Sequence, residues 1–154
     1  LQLIIACTGK RLPGWAGQAV AEYRKRFPRH SRLVVRAVTP ARRGKGFDPA
    51  RAVREEGERL LAAAGAGRII AVDPGGRAIA TSHIAARIAD WRRSSGDAAF
   101  LIGGPDGLSR HCLERAAECW SLSALTLPHA LARVVLVEQL YRACSIVEGL
   151  PYHR

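Results

Sequence analysis

Apolar residues arrive along this chain in two alternating rhythms, short unbroken runs and longer stretches striped every three or four positions. Leu3 to Cys7 is an apolar run that stops at Gly9, the pattern of a buried strand. Trp15, Ala19, Tyr23 and Phe27 then recur every four residues with Val20 beside them, which predicts a helix with that stripe as its buried face, ended by Pro28. Leu33 to Val38 is β-branched and strand-like. Asp48-Pro49 reads as an N-cap followed by proline at the first helical position, opening a helix through Val53, Leu60, Leu61 and Ala64 that stops at Gly65.

The second half repeats the alternation. Arg68 to Val72 reads as a strand, Thr81 to Arg93 as a helix with Ile84, Ile88 and Trp91 on one face, and Ala98 to Ile102 as a strand. Ser109 is placed to cap a short helix reaching about Cys119, and Trp120 to Leu122 reads as a further strand. A loop, SALTLP, leads into a last helix from Ala130 to about Glu148. Its Leu131, Val134, Val135, Leu136 and Val137 are apolar almost all round, so the sheet and a partner subunit are the surfaces expected to bury it. Short strands alternating with helices predict the α/β class, a mostly parallel sheet with helices on both faces. Ligands should then gather at the C-terminal ends of the strands.

Composition narrows the class. A chain of 154 residues is expected to form one domain. No segment approaches the roughly 18 uninterrupted apolar residues of a membrane span. The first apolar run lacks a basic lead and is too short for a signal peptide, so a cytoplasmic protein is expected. Net charge is +11, carried almost wholly by arginine, since Lys10, Lys25 and Lys45 are the only lysines. The arginine-for-lysine choice reflects genome composition, but the excess of positive charge favours a nucleic-acid partner. Cys7, Cys112, Cys119 and Cys144 form no C-x-x-C pair and have no histidines at zinc-ligand spacing, so free buried thiols are expected and no metal site.

Charge is concentrated between Arg24 and Lys45, where nine Lys/Arg residues stand without one acid. The one linker-like stretch, Thr39 to Phe47, overlaps it; ARRGKGF within that stretch is polar and basic, and Arg42, Arg43 and Lys45 are its candidate phosphate contacts. Further on, Phe100-Leu-Ile-Gly-Gly-Pro-Asp-Gly-Leu108 puts three glycines directly after a buried strand, where they let the backbone turn sharply and approach a ligand. It is neither a P-loop nor the G-x-G-x-x-G fingerprint. A valine at position 103 is expected to fill the ligand's space and leave the fold intact.

Val72-Asp73, LIGGPDGL, SLSALTLPH, RVVLVEQLYRA and the closing PYHR, with LPGW and EYRKRFP near the start, together resemble the ribosomal large subunit methyltransferase H family of the SPOUT superfamily. The resemblance covers essentially the whole chain. It implies a deep trefoil knot in the C-terminal part, an exception to the rule against threaded loops. It also implies a homodimer that methylates N3 of a pseudouridine in 23S rRNA within the ribosome, with S-adenosylmethionine as cofactor. Carried over by position, the cofactor would contact Val72, Gly103, Leu122, Ser123, Ala124, Leu125, Thr126 and Leu127.

Such a transfer needs the nucleophile aligned with the methyl, and a base or cation to handle the N3 proton. His129, Glu138, Arg142, Tyr152, His153 and Arg154 are the candidates. His129 is either a substrate RNA contact or a cap of the last helix. Glu138 and Arg142, four apart, are either catalytic or a plain ion pair. Tyr152, His153 and Arg154 suit stacking on a flipped base and holding its phosphate, against the ordinary reading of a frayed end. The rival function is a non-catalytic ribosome-associated protein binding rRNA through the same basic face.

Overall fold

The computed structural model describes residues 1–9 and 11–153; Arg154 lies outside them, and of His153 only the backbone is described. The chain runs β1 (Gln2–Thr8), α1 (Gly14–Arg26), β2 (Arg32–Val38), α2 (Pro49–Ala64), β3 (Arg68–Ala78), α3 (Thr81–Arg93), β4 (Ala98–Ile102), α4 (Arg110–Arg115), β5 (Glu118–Ser121) and α5 (His129–Val147). A 3-10 turn, Pro151–His153, follows. Among the described residues the five strands form one sheet in the order β2-β1-β4-β3-β5, and every neighbouring pair is parallel.

Period-two alternation sorts the strand side chains onto two faces. Leu3, Ile5, Cys7, Ile70, Phe100 and Ile102 meet Val20 of α1, Ile84, Ile88 and Trp91 of α3, and Leu136 and Leu140 of α5. On the other face Ile4, Ala6, Ile69, Ala71, Ala99 and Leu101 meet Leu60 and Ala64 of α2 and Leu108 and Cys112 around α4. Each of β4's residues is buried, as expected of a strand covered on both sides. Trp120 of β5 stacks on Trp91 at 6.2 Å between ring centres and tilts against Phe100 at 5.6 Å, which fixes the edge strand to α3.

Local signals explain several boundaries. Asp48 accepts a hydrogen bond from the Ala50 amide, and Gly65 takes φ +76° at the far end of α2. Ser109 accepts from the Cys112 amide.

Three expectations need correction. Trp15 is not core. Because α1 starts at Gly14, its buried stripe runs through Ala16, Val20, Tyr23 and Phe27, leaving Trp15 in the first turn 54% exposed. The short helix does not reach Cys119. Ala116 is already extended and the Ala117 amide donates to Ile69 O, so the chain is drawn into the sheet and β5 begins at Glu118.

β3 does not stop at Val72. Val72 and Arg77 both sit opposite Trp120, so residues 73–76 bulge out of the ladder within β3 before pairing resumes at Arg77. Asp73 Oδ1 accepts from the Gly75 amide at 2.8 Å and shapes that bulge. Gly76 closes it, pressed so near β5 that a Cβ there would lie 2.7 Å from the Trp120 carbonyl carbon.

Candidate active site

The bulge of β3 and the loops leaving β4 and β5 at their C-terminal ends converge with the first turn of α5 on a cavity of about 230 Å³. This is the crevice position that a parallel sheet offers a ligand. Val72, Gly103, Leu122, Ser123, Leu125, Thr126 and Leu127 line it. Ala124 lies exposed in the same loop, off the wall. Sequence reasoning did not assign a contact to Pro74, Ile102, Pro105, Leu108 or Ala132, apolar members of the lining, or to Asp73, its one acid among the described residues. His129 also lines the cavity. Pro128 takes the N-cap position with no side-chain cap bond, so the capping reading of His129 has no hydrogen bond behind it.

The walls hold their shape through main-chain geometry. Ser121 Oγ donates to Ser123 O, and the Leu125 amide donates to Ser123 Oγ at 2.9 Å, bending the β5–α5 loop on itself. A Cβ on Gly103 would lie 2.5 Å from the carbonyl carbon and oxygen of Gly107. Valine at 103 therefore cannot leave the fold intact, because it strikes the turn's own backbone before any ligand.

Two charged side chains support this cleft from behind, and neither was singled out from sequence. Arg133 of α5 is buried, and its Nη2 donates to Thr8 O and Gly9 O at 3.2 and 3.3 Å, fastening α5 to the end of β1. Glu56 of α2 is 2% exposed; its Oε1 accepts from the Ala41 amide at 2.8 Å, and its Oε2 faces Gly104 with no hydrogen-bond partner. Both were detectable as a lone charge within an apolar stripe: Ala52-Glu56-Leu60 on α2, and Arg133 beside Val134 and Val135 on α5.

A second cluster forms further along α5. Arg142 donates to Glu138 Oε1 through Nε at 2.8 Å and Nη2 at 2.6 Å. Gln139 Nε2 donates to Glu138 Oε2 at 2.6 Å. Tyr152 Oη lies 3.2 Å from Glu138 Oε1 and 3.2 Å from Tyr23 Oη, and its ring lies under the Arg142 guanidinium at 4.7 Å. The Tyr141 ring meets it edge-on at 4.6 Å. Tyr152 is thus docked on α1 and α5, and the frayed-end reading fails for it.

Burial, the Tyr23 hydrogen bond and the charge of Glu138 push the Tyr152 phenol well above its usual range, so it is a neutral donor. The Glu138 hydrogen bond raises Arg142 above its usual value and keeps it charged. With both oxygens of Glu138 engaged by donors, that carboxylate orients Arg142.

The two clusters stay apart within one chain. None of Glu138, Arg142 or Tyr152 lines the cavity, and Glu138 stands nine residues beyond His129, about 14 Å along the helix. The basic loop is a third location: Arg42, Arg43 and Lys45 surround a separate hollow with Phe47, Arg51 and Arg59. No described residue forms an ion pair with Arg42 or Lys45, whereas Arg43 is held by Asp106 at 2.6 Å. Among the described residues no group of His, Cys, Asp or Glu is arranged to hold a metal ion, and no helix is long and apolar enough to cross a membrane.

A parallel sheet with a ligand-sized cleft at its C-terminal edge, walled by a glycine turn and a folded-back loop, defines an α/β protein built around a small-molecule site. A family model described as predicted SPOUT methyltransferase matches residues 1–153. The chain is 44% identical to the ribosomal RNA large subunit methyltransferase H of Methylococcus capsulatus, over the whole of both chains. It is 46% identical to the protein of the same name from Alkalilimnicola ehrlichii, over all of this chain and 99% of that one.

Among solved structures, a methylase family protein from Haemophilus influenzae aligns with TM-score 0.56 and 13% identity, covering 99% of this chain and 70% of the other. One from Neisseria gonorrhoeae gives TM-score 0.53 and 15% identity, over 90% and 81%. At such identities the likeness is one of fold. The chain belongs to the SPOUT methyltransferases and, within them, to the ribosomal RNA large subunit methyltransferase H family.

Proposed function

We propose that the protein methylates N3 of a pseudouridine in 23S rRNA of the assembled ribosome, in the cytoplasm, as a single-domain homodimer whose C-terminal part is knotted. S-adenosylmethionine is the cofactor. Its sulfonium supplies an electrophilic methyl group. The cleft suits it: Val72, Ile102, Leu108 and Leu122 offer apolar walls for a flat base, loop main chain offers polar contacts, and Asp73 has the sign opposite to a sulfonium.

The observation that carries the reading is the separation of cleft and charged cluster in one chain. The imide N3-H must be lost before or during attack, and Arg142, held charged by Glu138 and flanked by Tyr152, is built to stabilise the resulting anion. Two apolar side chains left exposed on the packed pair α1 and α5, Trp15 at 54% and Leu131 at 36%, favour a partner subunit there. A dimer would bring the cluster of one chain, with His153 and Arg154, to the cleft of the other. His129 on the cleft wall and the basic loop contact RNA.

Mass spectrometry of rRNA nucleosides tests this. Cells lacking the gene should lose one N3-methylpseudouridine from 23S rRNA and regain it with the wild-type gene. An unchanged nucleoside profile contradicts the reading.

A further inference from the structure

Arg43 differs from the other cations of the basic loop. Arg42 and Lys45 have no ion-pair partner among the described residues, but the Arg43 guanidinium is fixed at two points. Its Nη2 donates to Asp106 Oδ2 at 2.6 Å, and its central carbon lies 4.8 Å from the centre of the Phe47 ring. Asp106 belongs to the glycine turn that walls the cleft, although its own side chain does not line it. The loop is tied to the same turn a second time through Glu56, which accepts from Ala41 and abuts Gly104.

A guanidinium has five N-H donors, and Asp106 takes one. The remaining donors have no hydrogen-bond partner among the described residues, and the plane that carries them is held by a carboxylate at one edge and a ring on one face. A free arginine must give up much side-chain freedom to bind a phosphate; a fixed one has already done so.

We propose that Asp106 and Phe47 are positioning residues that hold Arg43 ready for an RNA phosphate, so that the turn walling the cofactor cleft also sets the RNA-binding loop. This rests on the reading of the loop as an RNA contact. Charge alone predicts the opposite effect for Asp106, since an acid beside a phosphate site repels the phosphate and its removal should tighten binding.

Binding of labelled enzyme to ribosomes from a strain lacking the gene separates the two. Arg43→Ala should weaken binding about tenfold, and Asp106→Ala about threefold to tenfold despite the loss of a negative charge. The double variant should bind no more weakly than Arg43→Ala alone, because the residues act as a unit. Phe47→Leu, outside the turn, should lose about twofold to threefold while its affinity for sinefungin, a cofactor analogue without a transferable methyl, stays at the wild-type value. Asp106→Ala binding as tightly as wild type or tighter, losses that multiply in the double variant, or an unaffected Phe47→Leu would each overturn the positioning role. Wild-type affinity in Arg43→Ala would instead overturn the reading of the loop itself.

Discussion

A Cβ on Gly103 would lie 2.5 Å from the Gly107 carbonyl, and 2.9 Å from the Leu108 amide nitrogen. Those neighbours are backbone and cannot swing away, so even Gly103→Ala should cost about 1 to 3 kcal/mol in chemical denaturation and weaken cofactor binding with it. Ala132 lies on the opposite kind of wall, the first turn of α5 facing the cavity. Ala132→Phe should block sinefungin binding by calorimetry while stability stays within about 1 kcal/mol of wild type.

Tyr152 gives a pH test. Its phenol is raised in the folded protein, so the folded state favours the protonated form; that contribution to stability is complete below the unfolded value, about pH 10, and is lost as pH rises further. Tyr152→Phe should therefore unfold at a pH-independent cost below pH 10, and the difference from wild type should shrink above it. A difference that stays constant above pH 10 as well would mean that Tyr152 ionises in the folded protein as it does in the unfolded chain.

Element boundaries were legible where local chemistry decides them. Asp48 and Gly65 bracket α2, and α3 and β4 follow their apolar periods to the residue. Periodicity failed where tertiary contacts decide. It could not show that the Ala117 amide pairs with Ile69 O and ends α4, nor that β3 bulges out of the ladder at Asp73 and returns. The glycine turn after β4 was legible from its own chemistry, but the other cleft residues were legible only through long motifs resembling a family, because a cavity between a strand bulge and two loops has no period.

Glu56 shows what such an element hides. Glu56→Ala leaves the buried Ala41 amide without its acceptor and should cost about 2 to 4 kcal/mol, whereas Glu56→Gln keeps an oxygen for that amide and should cost about 1 kcal/mol or less by urea denaturation. In the basic loop, replacing Arg42 and Lys45 together with alanine should flatten the salt dependence of ribosome binding by about two phosphate contacts. An unaltered slope would place the RNA elsewhere.

At the scale of the whole molecule, one chain presents a cleft without an activated cation and a held cation without a cleft. Glu138, Arg142 and Tyr152 are legible in sequence as candidates, but nothing in the sequence joins Tyr152 to Tyr23, 129 residues away, or sets their distance from Gly103. The central claim is that two chains complete each other's sites, and mixing two inactive variants tests it directly. Ala132→Phe blocks the cleft and Arg142→Ala removes the cation, so each homodimer should be inactive on ribosomes from the deletion strain. Unfolded and refolded together in equal amounts, half the dimers are mixed, and each mixed dimer has one site with an intact cleft facing an intact Arg142. Methylation at about a quarter of the wild-type rate is the predicted result. A mixture as inactive as its parents, with mixed dimers demonstrated by mass, would contradict the account.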